Sequence, residues 1–357
     1  MTPRQLQRPN YDAGSDRSRG QSSMIRQSAL VLLPGLLAIG MASTFGCGRS
    51  SSRDTIRVGG QARTYEYIFT AGDFAKQYNL SVAMHFLPSA AEPAQMLIAG
   101  QADIADISPE RIVPMVAREP GKYLIVGVTS YGSERHALVV RGDSPYRTIE
   151  DLRGRKLGAS IGTGNWQVFQ RYLATKHLGV TDFQIVSMTA DDMAAALEAH
   201  VIDGMLAWEP YVTSAAVDGD RVLVRFTNLG LLANGIVTTK QYARLDPGAL
   251  TRYLAAWYDA AQWWNKNPAD ATKLAATFES KRSGVRVAPI VHEATLKYVS
   301  TDPLFLVTHT QDFYDDLKQI ATEDVQGHHL DAVPDFSGLI DVSYLEKAVE
   351  LSTTQHK

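Results

Sequence analysis

At 357 residues the chain is long enough for about two packed domains, and its net charge of −3 comes without the basic run or basic–aromatic block that nucleic-acid binding requires. Its one cysteine, Cys47, excludes an intrachain disulfide and any cysteine-based metal cluster.

Residues 1–23 are polar and Arg-bearing with no apolar period, so they read as a disordered or over-called start. Arg26 then precedes an apolar run, Ala29–Ala42, of about fourteen residues, short for a membrane span and suited to an export signal over 24–46. The segment Thr44-Phe-Gly-Cys47 resembles the lipobox of bacterial lipoproteins, which implies lipidation at Cys47. Residues 47–54 would then form a polar tether.

From Asp54 short β-branched runs alternate with longer helical ones. The pattern predicts a strand at Ile56–Gly59, a helix over Tyr65–Tyr78 and a strand at Ser81–Leu87. A helix from Pro88 to Ala99 stops at Gly100, and Ala102–Ile107 is a third strand. Ser108-Pro109 reads as a capped helix start. Tyr123–Thr129 is apolar enough for a central strand, and Ser130–Arg135 is a polar loop leading to another at His136–Arg141.

A second set of alternating elements follows. Strands are expected at Lys156–Ile161, Phe183–Met188, Gly204–Ala207 and Arg221–Thr227, with helices at Thr148–Leu152, Asn165–His177, Asp191–Ala199 and Tyr211–Val217. A further strand, Gly235–Thr239, precedes a helical C-terminal part. There Leu254, Trp257, Tyr258, Ala261 and Trp264 form an apolar core-facing stripe. His328-His329 beside Asp331 lacks further recognisable donors and reads as a solvated loop, so no metal or cofactor is expected.

One βα set inside another predicts a two-lobed α/β clamshell of parallel βαβ units, with crossings near 135–141 and 229–236. Lobe 1 would comprise 55–135 and 233–357, the latter with the extra C-terminal helices, and lobe 2 the inserted 136–232. Helical and strand signals around Val201–Tyr211 bring Trp208 and Glu209 to the end of a strand that Pro210 terminates, the end that faces a ligand crevice in open α/β sheets.

Several segments resemble the solute-binding proteins of ABC importers for nitrate, sulfonates and taurine, the NMT1/THI5-like group. They are Ile56–Gln61, Gly72–Lys76, Leu97–Ala105, Leu138–Pro145, Asp151–Lys156 and Val201–Tyr211. The resemblance implies a type II periplasmic-binding fold in the periplasm or cell envelope. It also implies a monomer, no enzymatic activity, a permease and an ATPase as partners, and a small organic anion as ligand. A taurine-like sulfonate suits the aromatics Tyr65, Trp166, Trp208 and Tyr211 better than nitrate or bicarbonate does. Related folds also include enzymes of thiamine-pyrimidine and menaquinone synthesis, and a clamshell of this kind also serves as a ligand sensor.

The anion-binding candidates sit at strand-to-helix turns. Gly162, Thr163, Gly164 and Asn165 combine close backbone approach with a helix N-terminus. Facing them after the strands of lobe 1 are Gln61, Arg63, Thr64, Tyr65, Ser89 and Ser108. Glu209, near Trp208, would hold an amine.

Overall fold

Ile56 and Val58 turn inward from the opening strand, and from Val58 to Gly60 every residue is buried, as in a strand covered on both faces. The computed structural model describes residues 55–87, 91–298, 302 and 304–356, all within the unit Ser51–Lys357. The export signal, tether, Cys47 and Ser89 lie outside the described residues.

The strands are β1 (Thr55–Gly60), β2 (Ser81–Phe86), β3 (Ile104–Ile107), β4 (Tyr123–Ser130), β5 (His136–Val140), β6 (Lys156–Ala159), β7 (Gln184–Ser187), β8 (Gly204–Trp208), β9 (Arg221–Arg225) and β10 (Asn234–Thr239). The longer helices between them are α1 (Thr64–Ala71), α2 (Glu92–Ile98), α3 (Pro109–Arg118), α4 (Gly164–Thr175), α5 (Ala190–Glu198) and α6 (Tyr211–Val217). After β10 come α7 (Lys240–Leu245), α8 (Pro247–Lys266), α9 (Pro268–Ser283), α10 (Ile290–Leu296), α11 (Phe305–Thr308), α12 (Thr310–Gln326) and α13 (Ser343–Gln355).

Two five-stranded sheets result, ordered β2-β1-β3-β10-β4 and β7-β6-β8-β5-β9. Neither is purely parallel: the expected parallel βαβ units are present, and one strand in each sheet runs against them. β10 runs antiparallel to β3 and β4, and β5 antiparallel to β8 and β9. These are the two strands that follow the crossings between lobes. A chain arriving from the other lobe enters at the cleft end of its sheet and must run away from the cleft, against its neighbours.

Arg135 ties the crossings together. Its guanidinium donates to Ser130 Oγ at 2.5 Å on the first and to the Leu232 carbonyl and Asn234 Oδ1 at 2.8 and 2.9 Å on the second. Burial holds this guanidinium down at about 10, and the neighbouring charge of Arg63 acts in the same direction.

The predicted helix over Tyr65–Tyr78 is broken. α1 ends at Ala71, Asp73 adopts φ 54°, and a 3-10 turn covers Phe74–Tyr78. The reversal folds the Phe74 ring back over Gly72, where an added Cβ would lie 2.3 Å from the ring, and buries it in the core of lobe 1. The Trp257–Trp264 stripe of α8 belongs to that same core, packed on α1 through Tyr65 and Phe69; Tyr258 is only partly buried. His329 lies in an exposed turn, 3.7 Å from Asp324. Among the described residues no His, Cys, Asp and Glu group is arranged to hold a metal, and no helix is long and apolar enough to cross a membrane.

Candidate functional site

The C-terminal ends of β1, β2, β6, β7 and β8 converge on a cleft of about 760 Å³ between the lobes. Gln61 and Arg63 line it from lobe 1, and Thr163, Trp208 and Tyr211 from lobe 2. A second, polar gap of about 20 Å³ shares Arg63, Thr163 and Trp208 with the cleft and adds Ser108, Gly164 and Asn165. The Gly-Thr-Gly-Asn turn and the Trp208 corner therefore look into the same space.

Local sequence explains the turn of lobe 2. Gly162 takes φ 75°, a conformation that favours glycine. Thr163 caps α4: its Oγ1 accepts from the Trp166 amide at 3.4 Å and donates to the Ser160 carbonyl at 2.7 Å. Thr163 is thus the cap. Asn165 is 3% exposed, yet neither its Oδ1 nor its Nδ2 has a hydrogen-bond partner among the described residues.

Three expected ligand contacts are elsewhere. Tyr65 is fully buried, its hydroxyl donating to Asp106 at 2.5 Å and its ring edge-on to Trp257. Thr64 is also fully buried, with Oγ1 2.9 Å from His292 Nδ1. The reason is helical phase: α1 begins at Thr64, so that residue and Tyr65 turn into lobe 1 while Tyr67 reaches the cleft. Glu209 is buried beneath the Trp208 corner, where its carboxylate accepts from Arg225 at 2.7 Å and from the Thr213 amide and hydroxyl at 3.1 and 2.7 Å. It braces the corner and does not line the cleft. Trp166 likewise packs on the core of lobe 2.

The structure adds residues that the sequence did not single out. Arg111, in the first turn of α3, lines the cleft and points across it, its Nη2 lying 3.6 Å from where a Cβ on Gly162 would be. Its side chain has no hydrogen-bond partner among the described residues, and its Nε is buried. The signal was its position just past a strand end, beside the Ser108-Pro109 start. Glu279 and Arg282 of α9 form another part of the wall. Arg282 lies over the Tyr67 and Phe86 rings and donates to the Tyr67 hydroxyl at 3.1 Å. Glu279 stands 3.2 Å from His292 Nε2, behind which is Thr64. No local pattern marks α9 as a cleft wall, because only tertiary packing brings it there.

Arg63 stays charged in the cleft wall although it is buried. Burial alone would push that guanidinium down, but Tyr65, Asp106, Glu66 and Glu110 around it leave it raised and charged. Its Nε has no partner, while its Nη2 donates to Gln61 Oε1. Behind it, Glu66 accepts from the Gln61 and Arg63 amides at 3.1 and 3.0 Å. Gly60 is required for that approach, since an added Cβ would sit 2.3 Å from Glu66 Oε1. Burial pushes the Glu66 carboxyl up to about 8, with Asp106 adding to the shift.

Two mixed α/β lobes with these strand orders, joined by two crossings and facing each other across a cleft, constitute a type II periplasmic-binding fold. The chain belongs to the NMT1/THI5-like family, whose model matches residues 65–271. A protein of Escherichia coli (strain K12) named for binding aliphatic sulfonates is 25% identical over 297 residues, covering 81% of this chain and 92% of that protein. Among solved structures, the alkanesulfonate-binding protein SsuA of Xanthomonas axonopodis pv. citri, bound to MOPS, superposes with TM-score 0.69 at 18% identity, over 80% of this chain and 98% of that one. A variant of DszB in complex with biphenyl-2-sulfinic acid gives TM-score 0.65 at 16% identity, over 84% and 99%.

Proposed function

We propose that the chain is the extracytoplasmic solute-binding component of an ABC importer, closing on a small organic anion of the sulfonate class and delivering it to a permease driven by an ATPase. The observation that carries this reading is Arg111, a guanidinium reaching across the cleft without a hydrogen-bond partner among the described residues. Arg63 contributes a second cation with a free Nε. Hydrogen bonds to charged groups contribute roughly 1.5–3 kcal/mol each, so two such donors supply a substantial part of the roughly 8 kcal/mol that micromolar binding needs.

Tyr67, Phe86, Trp208 and Tyr211 supply apolar surface for a carbon body, which favours an organosulfonate over nitrate or bicarbonate. Family membership and the sulfonate-binding relatives point the same way.

A thermal-shift screen of the purified full chain against alkanesulfonates, taurine, nitrate and bicarbonate tests the proposal. A ligand that binds only the native state raises the transition temperature. A rise with one or more sulfonates is expected; a rise with none of them overturns the ligand class. Chemical turnover of the bound compound would instead assign the scaffold to an enzyme.

A further inference from the structure

We infer that Glu110 sets how much negative charge the cleft accepts, acting as an internal anion at the N-terminus of α4. The inference rests on the anion-binding reading of the cleft. Glu110 belongs to α3 of lobe 1 and is 6% exposed. Ser108 donates to its Oε1. Its Oε2 is buried without a hydrogen-bond partner among the described residues and lies 3.2 Å from where a Cβ on Gly164, the first residue of α4 in lobe 2, would stand. Next to it the buried Asn165 side chain has both polar atoms unpartnered.

The start of α4 was the expected place for the ligand's anion, because helix N-termini present unpaired amides and a partial positive charge. A carboxylate of the protein already stands beside it. The gap there, about 20 Å³, has room on the order of one water molecule and none for a sulfonate head. The ligand's charge is therefore confined to the larger cleft, beside Arg63 and Arg111. Arg63 lines both spaces, so an anion held there also feels the negative charge of Glu110. Arg135 lines the gap with Glu110 and offsets part of its charge; the repulsion that remains acts once on a monoanion and twice on a dianion.

The test is calorimetric titration of the full chain and of Glu110→Gln with ethanesulfonate and with inorganic sulfate. Gln keeps the shape of the side chain and an acceptor for Ser108, and removes the charge. Affinity for sulfate is expected to rise in the variant by about tenfold or more, with a smaller gain for ethanesulfonate, since one unit charge acts twice as strongly on a dianion. A purely structural role would move both affinities together, so an unchanged ratio overturns the inference. If Glu110→Gln does not fold, Glu110→Ala is read the same way. A wild-type chain that ignores ethanesulfonate while Glu110→Gln gains sulfate would sustain the inference and sink the sulfonate reading. Binding of neither anion by either protein would sink both.

Discussion

Glu209 and Arg225 form an ion pair of 2.7 Å in which the carboxylate has 1% of its side chain exposed and the guanidinium 32%. Thr213 adds two further donors to the same carboxylate, so Glu209 is fully engaged in holding the end of β8 to β9 and the start of α6. Glu209→Gln should therefore lower stability by about 1–3 kcal/mol, less than the roughly 3–5 kcal/mol that breaking a fully buried pair costs, because Arg225 remains partly solvated. Denaturant midpoints measure the loss. A sulfonate affinity that drops more than about tenfold at unchanged stability would return Glu209 to the ligand.

Arg111 is the opposite case. With no hydrogen-bond partner for its side chain among the described residues, its removal costs the fold little, and Arg111→Gln should shift stability within about 0.5 kcal/mol. Sulfonate binding should weaken by roughly 10- to 100-fold, the equivalent of one or two charge-assisted hydrogen bonds. Titration calorimetry beside thermal unfolding separates the two effects, and full affinity in the variant would remove Arg111 from the site.

Trp208 is half-buried, edge-on to Tyr211 at 5.5 Å, and lines both the cleft and the small gap. Trp208→Ala is expected to weaken an organosulfonate by about tenfold or more while leaving nitrate, which has no carbon body, nearly unaffected. A collapse of the unfolding temperature with no change in ligand preference would assign the ring to the core.

The lobes were legible in the sequence because alternating periods and the turn residues at Gly100, Ser108, Gly162 and Pro210 are local signals. Strand direction was not: β5 and β10 read like their neighbours, and only their entry from the crossings makes them antiparallel. In the site, Gln61, Arg63, Thr163 and Trp208 follow from strand-end placement alone. Tyr65 turns into lobe 1 and Tyr67 toward the cleft because α1 starts at Thr64, where Glu66 accepts from the Arg63 amide. The engagement of Glu209 was not legible, because its partner Arg225 is on β9, a neighbour that sequence distance hides. Glu279 and Arg282 stand where α9 folds back over α1, a contact between chain segments too far apart to leave a pattern.

Glu66 gives the molecule a pH signature. Burial raises its carboxyl from 4.5 to about 8, so its contribution to stability is complete below pH 4.5 and is lost as pH rises toward 8. His136 has the opposite sense: burial, with the charges of Arg135 and Arg63, holds its imidazole well below 6.5. Its contribution is complete above 6.5 and is lost as the pH falls through its folded value. Between 4.5 and 6.5 the two slopes oppose, whereas above 6.5 the Glu66 slope stands clear of His136. Unfolding free energy should thus decline from pH 6.5 to 8, by no more than roughly 1.4 kcal/mol per pH unit, the limit for one proton. Glu66→Gln should be less stable throughout, since its amide turns one of two acceptors for the Gln61 and Arg63 amides into a donor, and its profile should be flatter over that window. Denaturation curves of both proteins at half-unit intervals decide the matter; parallel profiles would show that Glu66 is ionised in the native state throughout.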